Sequence, residues 1–138
     1  MAAPRIFRII LPVNDIERAA KFYGDLLGVP GVRVSPGRHY FDCGGVILAC
    51  FNPQADGDGW EARPNQDHIY FAVKSLESYH RRAAKLGALQ KGDVHGEASG
   101  GIVKRPWGER SFYGQDPFGN LFCFVDEKTL FTGRRRKS

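Results

Sequence analysis

The sequence has no cysteine pair at CxxC spacing, no apolar run long enough to span a bilayer, and no block of like charge outside its last residues. Each absence removes a class of function. The three cysteines, Cys43, Cys50 and Cys123, are odd in number. Each lies in an apolar run where a free thiol behaves as a small hydrophobe, which argues for a reducing, cytoplasmic setting and against a disulfide framework. The first apolar run, IFRIILPV, is interrupted by Arg8 and runs into a helix start, so neither a signal peptide nor a membrane span is expected. Of the net charge of +5, four charges sit in the terminal GRRRKS, on Arg134, Arg135, Arg136 and Lys137. A near-neutral body with a basic tail, and no helix-turn-helix, zinc-finger or RNP pattern, excludes nucleic acid as the expected partner. The glycine-rich GDVHGEASGGIVK, residues 92–104, has neither the strand–GxGxxG–helix context nor a GK[ST] ending, so it is not a phosphate cradle. No nucleophile elbow or Ser-His-Asp order occurs.

What is present is a repeat. RIFRIILPV reads as a strand, and NDIERAAKFYGDLLG as a helix capped by Asp15 and stopped by Gly28. VRVSPG, RHYFDCGG and VILACFN follow as a meander of short strands. After a polar, turn-rich linker the pattern restarts: DHIYFAV is a strand, SLESYHRRAAKLG a helix with Ser75 as cap and Gly87 as stop, and GGIVK, ERSFYGQDP and NLFCFVD are strands. Laying RIILPVNDIE over HIYFAVKSLE sets Arg8 on His68, Val13 on Val73, Glu17 on Glu77 and, further on, Leu26 on Leu86. GGVILACF over FGNLFCFV sets Gly45 on Gly119 and Ala49 on Cys123. The chain therefore reads as one α+β domain of two tandem βαβββ modules, each of whose one-faced sheets needs covering. The first module covers residues 5–53, the linker 54–65, the second module 66–127, and the basic tail 128–138.

LPVNDIERAAKFYGDLLGV at the start, HIYFAV at the restart and DPFGNLFCFVD at the end resemble the vicinal oxygen chelate superfamily, which includes glyoxalase I, extradiol dioxygenases, fosfomycin-modifying enzymes and bleomycin-resistance proteins. The resemblance implies curved sheets enclosing a cleft, completed in a homodimer. In the enzymes it also implies a divalent metal held by a His or Gln on the first strand and a Glu or similar ligand on the last strand of each module. Those positions fall here on Arg8, Ala49 or Leu48, His68 and Cys123. Only His68 is an ordinary ligand. Arg8 has no lone pair to give and Ala49 or Leu48 no donor atom, so no metal or other cofactor is expected, and His68 would be the one ligand if there were.

The expected ligand-binding residues are Arg8, His68, Trp107, Arg110 and Cys123, with His68 the one catalytic candidate. Trp107-Gly108 resembles the WG of bleomycin-resistance proteins, where the ring offers a face for planar drugs. Asp116-Pro117-Phe118-Gly119-Asn120 reads as a structural turn. His95 and Glu97 lie on a loop long enough to fold over a cleft, while His39 and His80 are expected to be solvated. Two functions are consistent with these residues. One is a metal-free binder of a small aromatic or anionic molecule, its charge held by Arg8 and Arg110; the other is a glyoxalase- or dioxygenase-like lyase, isomerase or oxygenase using His68, with or without a divalent metal.

Overall fold

The computed structural model describes residues 2–94 and 96–133, so His95 and the basic residues Arg134 to Lys137 lie outside the described part. The chain divides into two compact units, Met1–Asn65 and Gln66–Ser138.

In the first unit, β1 (Arg8–Pro12) leads into α1 (Ile16–Leu27), then β2 (Val32–Ser35), β3 (Arg38–Cys43) and β4 (Val46–Phe51). The sheet order is β1-β4-β3-β2, with β1 and β4 parallel and the rest antiparallel. α1 starts where the Asp15 carboxylate accepts from the Arg18 amide at 3.1 Å. It stops where Gly28 enters the left-handed region at φ 78 and donates to the Gly24 carbonyl. Its buried stripe, Ile16, Ala19, Phe22, Tyr23 and Leu26, follows the helical period. That stripe packs on the sheet face carrying Leu11, Phe41 and Leu48, all buried.

The second unit repeats this with β5 (Ile69–Val73), α2 (Leu76–Lys85), β8 (Val103–Lys104), β9 (Arg110–Gln115) and β10 (Leu121–Asp126), ordered β5-β10-β9-β8. A small hairpin, β6 (Asp93–Val94) with β7 (Glu97–Ala98), is inserted between α2 and β8. The registers of the two parallel pairs agree residue for residue. Ile9 faces Leu48 as Ile69 faces Phe122, and Ile10 faces Ala49 as Tyr70 faces Cys123. The antiparallel partner agrees too, Tyr40 opposite Ala49 and Tyr113 opposite Cys123. The α+β repeat read from the sequence is thus present as two four-stranded mixed sheets, each with one helix.

Under α2 the second sheet is aromatic. Phe71, Tyr79 and Phe112 each stack on Phe124, with centroids 5.0, 5.1 and 5.4 Å away. Gly114 takes the place that Phe41 holds in the first unit, and a Cβ there would come within 2.2 Å of the Phe122 ring. The glycine is required by ring packing, not by backbone conformation.

Three expectations are corrected. Ser75 makes no cap bond to the α2 backbone; its hydroxyl pairs with that of Ser78. His39 is buried, its Nε2 donating to the Pro30 carbonyl at 2.9 Å and its Nδ1 accepting from Arg33. His80 is half-buried, donating to the Gly100 carbonyl at 2.9 Å with its ring edge-on to Phe112. In the polar stretch after β4, Asp56 accepts from Gly37 N and Ser35 Oγ and pairs with Arg38. Glu97 stands exposed on the inserted hairpin, whose base is closed by Ser99 bonding Gly92. No helix among the described residues is long and apolar enough to cross a membrane.

The DPFGN turn is built on one carboxylate. Asp116, 4% exposed, accepts from the Phe118 and Asn120 amides at 2.8 Å each and from Asn120 Nδ2 at 2.9 Å. Asp116→Ala leaves all three donors unmatched and should lower stability by about 3 kcal/mol or more, read as a fall in the urea midpoint at unchanged slope.

Candidate functional site

Strand alternation sorts the second unit's sheet into two faces. Opposite α2, one row carries Tyr70, Cys123 and Tyr113, and the next Ala72, Val125 and Ser111. His68 stands just before β5, its ring edge-on to Tyr113 at 4.9 Å. Its Nε2 lies 2.9 Å from Gln90 Oε1. A carbonyl oxygen only accepts, so this nitrogen carries the hydrogen and is already engaged.

Beyond these rows the turn between β8 and β9 rises as one wall. Trp107 donates from Nε1 to Glu109 Oε1 at 2.7 Å, which fixes the indole plane. Glu109 Oε2 accepts from the Phe131 amide at 2.9 Å and so holds the segment that returns across the sheet. Leu130 of that segment packs on Tyr113, Cys123 and Val125. Between wall and segment lies a pocket of about 360 Å³, lined by Tyr70, Ala72, Trp107, Glu109, Leu130 and Phe131 among others. Tyr70 is 56% exposed, so an aromatic face is open to a ligand.

Arg105 opens the same turn, its carbonyl accepting from the Gly108 amide, and is 2% exposed. Its Nε donates to Ser111 Oγ at 3.0 Å and its Nη2 to the Ser111 and Gly101 carbonyls at 3.1 and 3.4 Å. The guanidinium also sits 4.8 Å over the Tyr113 ring. Its Nη1 is buried with no partner, and none of the ion pairs among the described residues includes Arg105.

Sequence reasoning named Arg110 where the geometry offers Arg105. Arg110 shares the face of Phe112, and its guanidinium pairs with Glu77 of α2 and, at 3.5 Å, with Asp126. Its charge is spent holding helix to sheet. His68 and Cys123 both neighbour Tyr113, while Trp107 lines the pocket with Tyr70, and Arg105, which precedes Trp107 at the sheet edge, sits over Tyr113. Tyr113 could have been found, since it is the repeat partner of Tyr40. In the first unit Arg8 is exposed and lies over Tyr40 at 5.5 Å, on the face opposite α1. Ala49, not Leu48, shares that face, because Ala49 pairs with Ile10 and Tyr40 while Leu48 packs beneath α1.

These four positions, Arg8, Ala49, His68 and Cys123, make a poor donor set for a divalent ion. Neither Arg8 nor Ala49 has a lone pair to offer, His68 has Nδ1 alone beside the Nε2 bond to Gln90, and burial pushes the Cys123 thiol up to about 12, well away from thiolate. No three His, Cys, Asp or Glu side chains among the described residues are grouped to hold a metal.

Burial likewise raises the Tyr113 phenol to about 12, with the neighbouring thiol adding to the effect, and raises Tyr70. A folded pKa above the unfolded one means tighter proton binding when folded. The contribution is intact below the unfolded values, 9.0 for the thiol and 10.0 for the phenol, and is lost as pH climbs toward about 12. Stability should therefore fall from roughly pH 9 upward, and Cys123→Ala combined with Tyr113→Phe should flatten that slope, as measured by urea unfolding at about pH 8 and about pH 10.5.

Comparison with known proteins agrees with this layout. The Glyoxalase/Bleomycin resistance protein/Dioxygenase superfamily model matches residues 5–124. A bleomycin resistance protein of Geobacillus stearothermophilus is 26% identical over 131 residues, covering 85% of this chain and 92% of that protein. A glyoxalase/bleomycin resistance protein from Albidiferax ferrireducens T118 superposes with a TM-score of 0.69 at 25% identity, over 88% of this chain and 98% of its own. Lactoylglutathione lyase from Agrobacterium tumefaciens superposes at 0.68 and 23% identity, over 93% and 97%; at that identity the likeness is one of fold. With two βαβββ units in matching register and a family match spanning nearly the whole of both, the chain belongs to the Glyoxalase/Bleomycin resistance protein/Dioxygenase superfamily.

Proposed function

We propose that this protein binds a small, partly aromatic molecule on the helix-free face of its second sheet and holds it without chemical change. The observation that carries this reading is the pocket itself: about 360 Å³, an open Tyr70 face on one side and an indole fixed by Glu109 on the other. A volume of that order suits a ligand of drug size, and aromatic walls with few polar groups suit planar rings. The name of the Geobacillus relative, a bleomycin resistance protein, is in keeping with sequestration. The reading needs no metal and no base, which matches the donor set present.

The catalytic alternative, proton transfer by His68, falls to Nδ1, because Nε2 donates to Gln90, and it finds no second acid or base in the nearby thiol and phenol, which burial holds protonated.

The test uses bleomycin and simpler planar aromatics titrated into the protein carrying Trp60→Phe, so that Trp107 is the one fluorescent indole. Quenching should saturate at one ligand per chain, with the ligand recovered unchanged. Trp107→Ala, followed by isothermal titration calorimetry because it removes the reporting indole, should weaken binding by about 2 kcal/mol, roughly thirtyfold, the scale expected of a central aromatic contact. Consumption of the ligand, lost in His68→Ala, would establish the catalytic reading instead.

A further inference from the structure

We propose that Arg105 is the anchor for a single negative charge, a carboxylate borne on the aromatic ligand that fills the neighbouring pocket. This deepens the pocket reading and rests on it.

A guanidinium stays charged at any pH the fold survives, and burying a charge without a counter-ion is costly. Arg105 is 2% exposed and is in none of the ion pairs among the described residues. Its hydrogen bonds run to neutral oxygens, two carbonyls and one hydroxyl. Those bonds fix the planar fork through Nε and Nη2, and Nη1 is left as a buried donor with nothing to meet. A fork held this way is preorganised for an oxygen at its free corner, and a carboxylate is the group whose geometry and charge match it.

The surroundings narrow the class. Trp107 and Glu109, which wall the pocket, belong to the same turn as Arg105; the Gly108 amide closes it on the Arg105 carbonyl at 2.9 Å. The Tyr113 ring beneath the guanidinium belongs with Cys123 and Val125 to the buried cluster on which Leu130, a pocket-lining residue, packs. Charge and aromatic wall therefore adjoin. Glu109 makes no ion pair with Arg105; its two oxygens accept from the Trp107 indole and the Phe131 amide. Its charge nevertheless acts in the same region, on Tyr70 and Cys123, so a dianion such as a phosphate monoester is disfavoured and one negative charge is the better match. Because Nη1 is buried, a covering side chain has to give way on binding. Leu130, packed on Tyr113 and followed by the exposed Phe131, is the one expected to move.

The experiment compares 2-naphthoate with 2-naphthamide, a pair alike in shape and different in charge, by Trp107 quenching in the Trp60→Phe protein. Naphthoate should bind on the order of tenfold tighter or more, and Arg105→Met should abolish that preference by weakening naphthoate while leaving naphthamide unchanged. Arg105→Lys should keep part of the preference. Equal affinities in the starting protein, or an unchanged preference in Arg105→Met, overturn the anchor while the pocket stands. If neither probe binds saturably, the pocket reading falls and the anchor with it. Should Arg105→Met not fold, the preference in the starting protein and in Arg105→Lys decides.

Discussion

The parallel pairing of first and last strand in each unit is the constraint from which the site follows. It joins β1 to β4 and β5 to β10 in the same register, and strand alternation then decides which side chains lie under a helix. A slip of one residue in β10 would drive Cys123 and Val125 under α2 and turn Phe122 and Phe124 outward. The ring stack on Phe124, and the gap at Gly114 that admits the Phe122 ring, hold against that slip. The helix-free face is thus defined by what the core requires on the opposite side.

On that face the dominant electrostatic fact is a buried guanidinium that has no ionic partner among the described residues. Removing one member of a buried ion pair typically costs on the order of 3–5 kcal/mol, and a charge that never had a partner lies at the same disadvantage. The fold reduces the penalty with three hydrogen bonds and the Tyr113 ring rather than with a carboxylate. Contrast Arg110, which meets Glu77 and Asp126, or Arg33, which meets Glu17. Carboxylates are available to this chain's arginines, and at Arg105 none is used.

The architecture was legible in the sequence because duplication leaves the same pattern twice. Arg8 over His68 and Ala49 over Cys123 are real register equivalences, and the stop at Gly28 and the Asp116 turn act as read. The site was less legible because it depends on parity through a turn. Arg105 and Arg110 flank the same short loop, and sequence spacing does not say which one the turn folds inward. Arg110 is on the strand and even-numbered with Phe112, which sends it toward α2; Arg105 precedes the turn and is carried by it onto Ser111 and Tyr113. His39 and His80 were misjudged for a related reason: their partners are backbone carbonyls of Pro30 and Gly100, and a carbonyl leaves no mark in the sequence.

The same comparison of units bears on why the pocket lies in the second. Both helix-free faces have a small residue at the centre of the last strand, Ala49 or Cys123, beside a tyrosine, Tyr40 or Tyr113. A small central residue keeps the face shallow, and the tyrosine gives it one wall. In the first unit the cations near that tyrosine are outward, with Arg8 exposed over Tyr40 and Arg38 stacked on Phe51. In the second, a longer turn brings Trp107 and Glu109 over the sheet and encloses the cation behind them. Among the differences between the two copies is the exposure of the cation over the tyrosine ring, Arg8 being exposed and Arg105 buried. The buried one is the copy in which charge can discriminate between ligands, because water no longer competes for it.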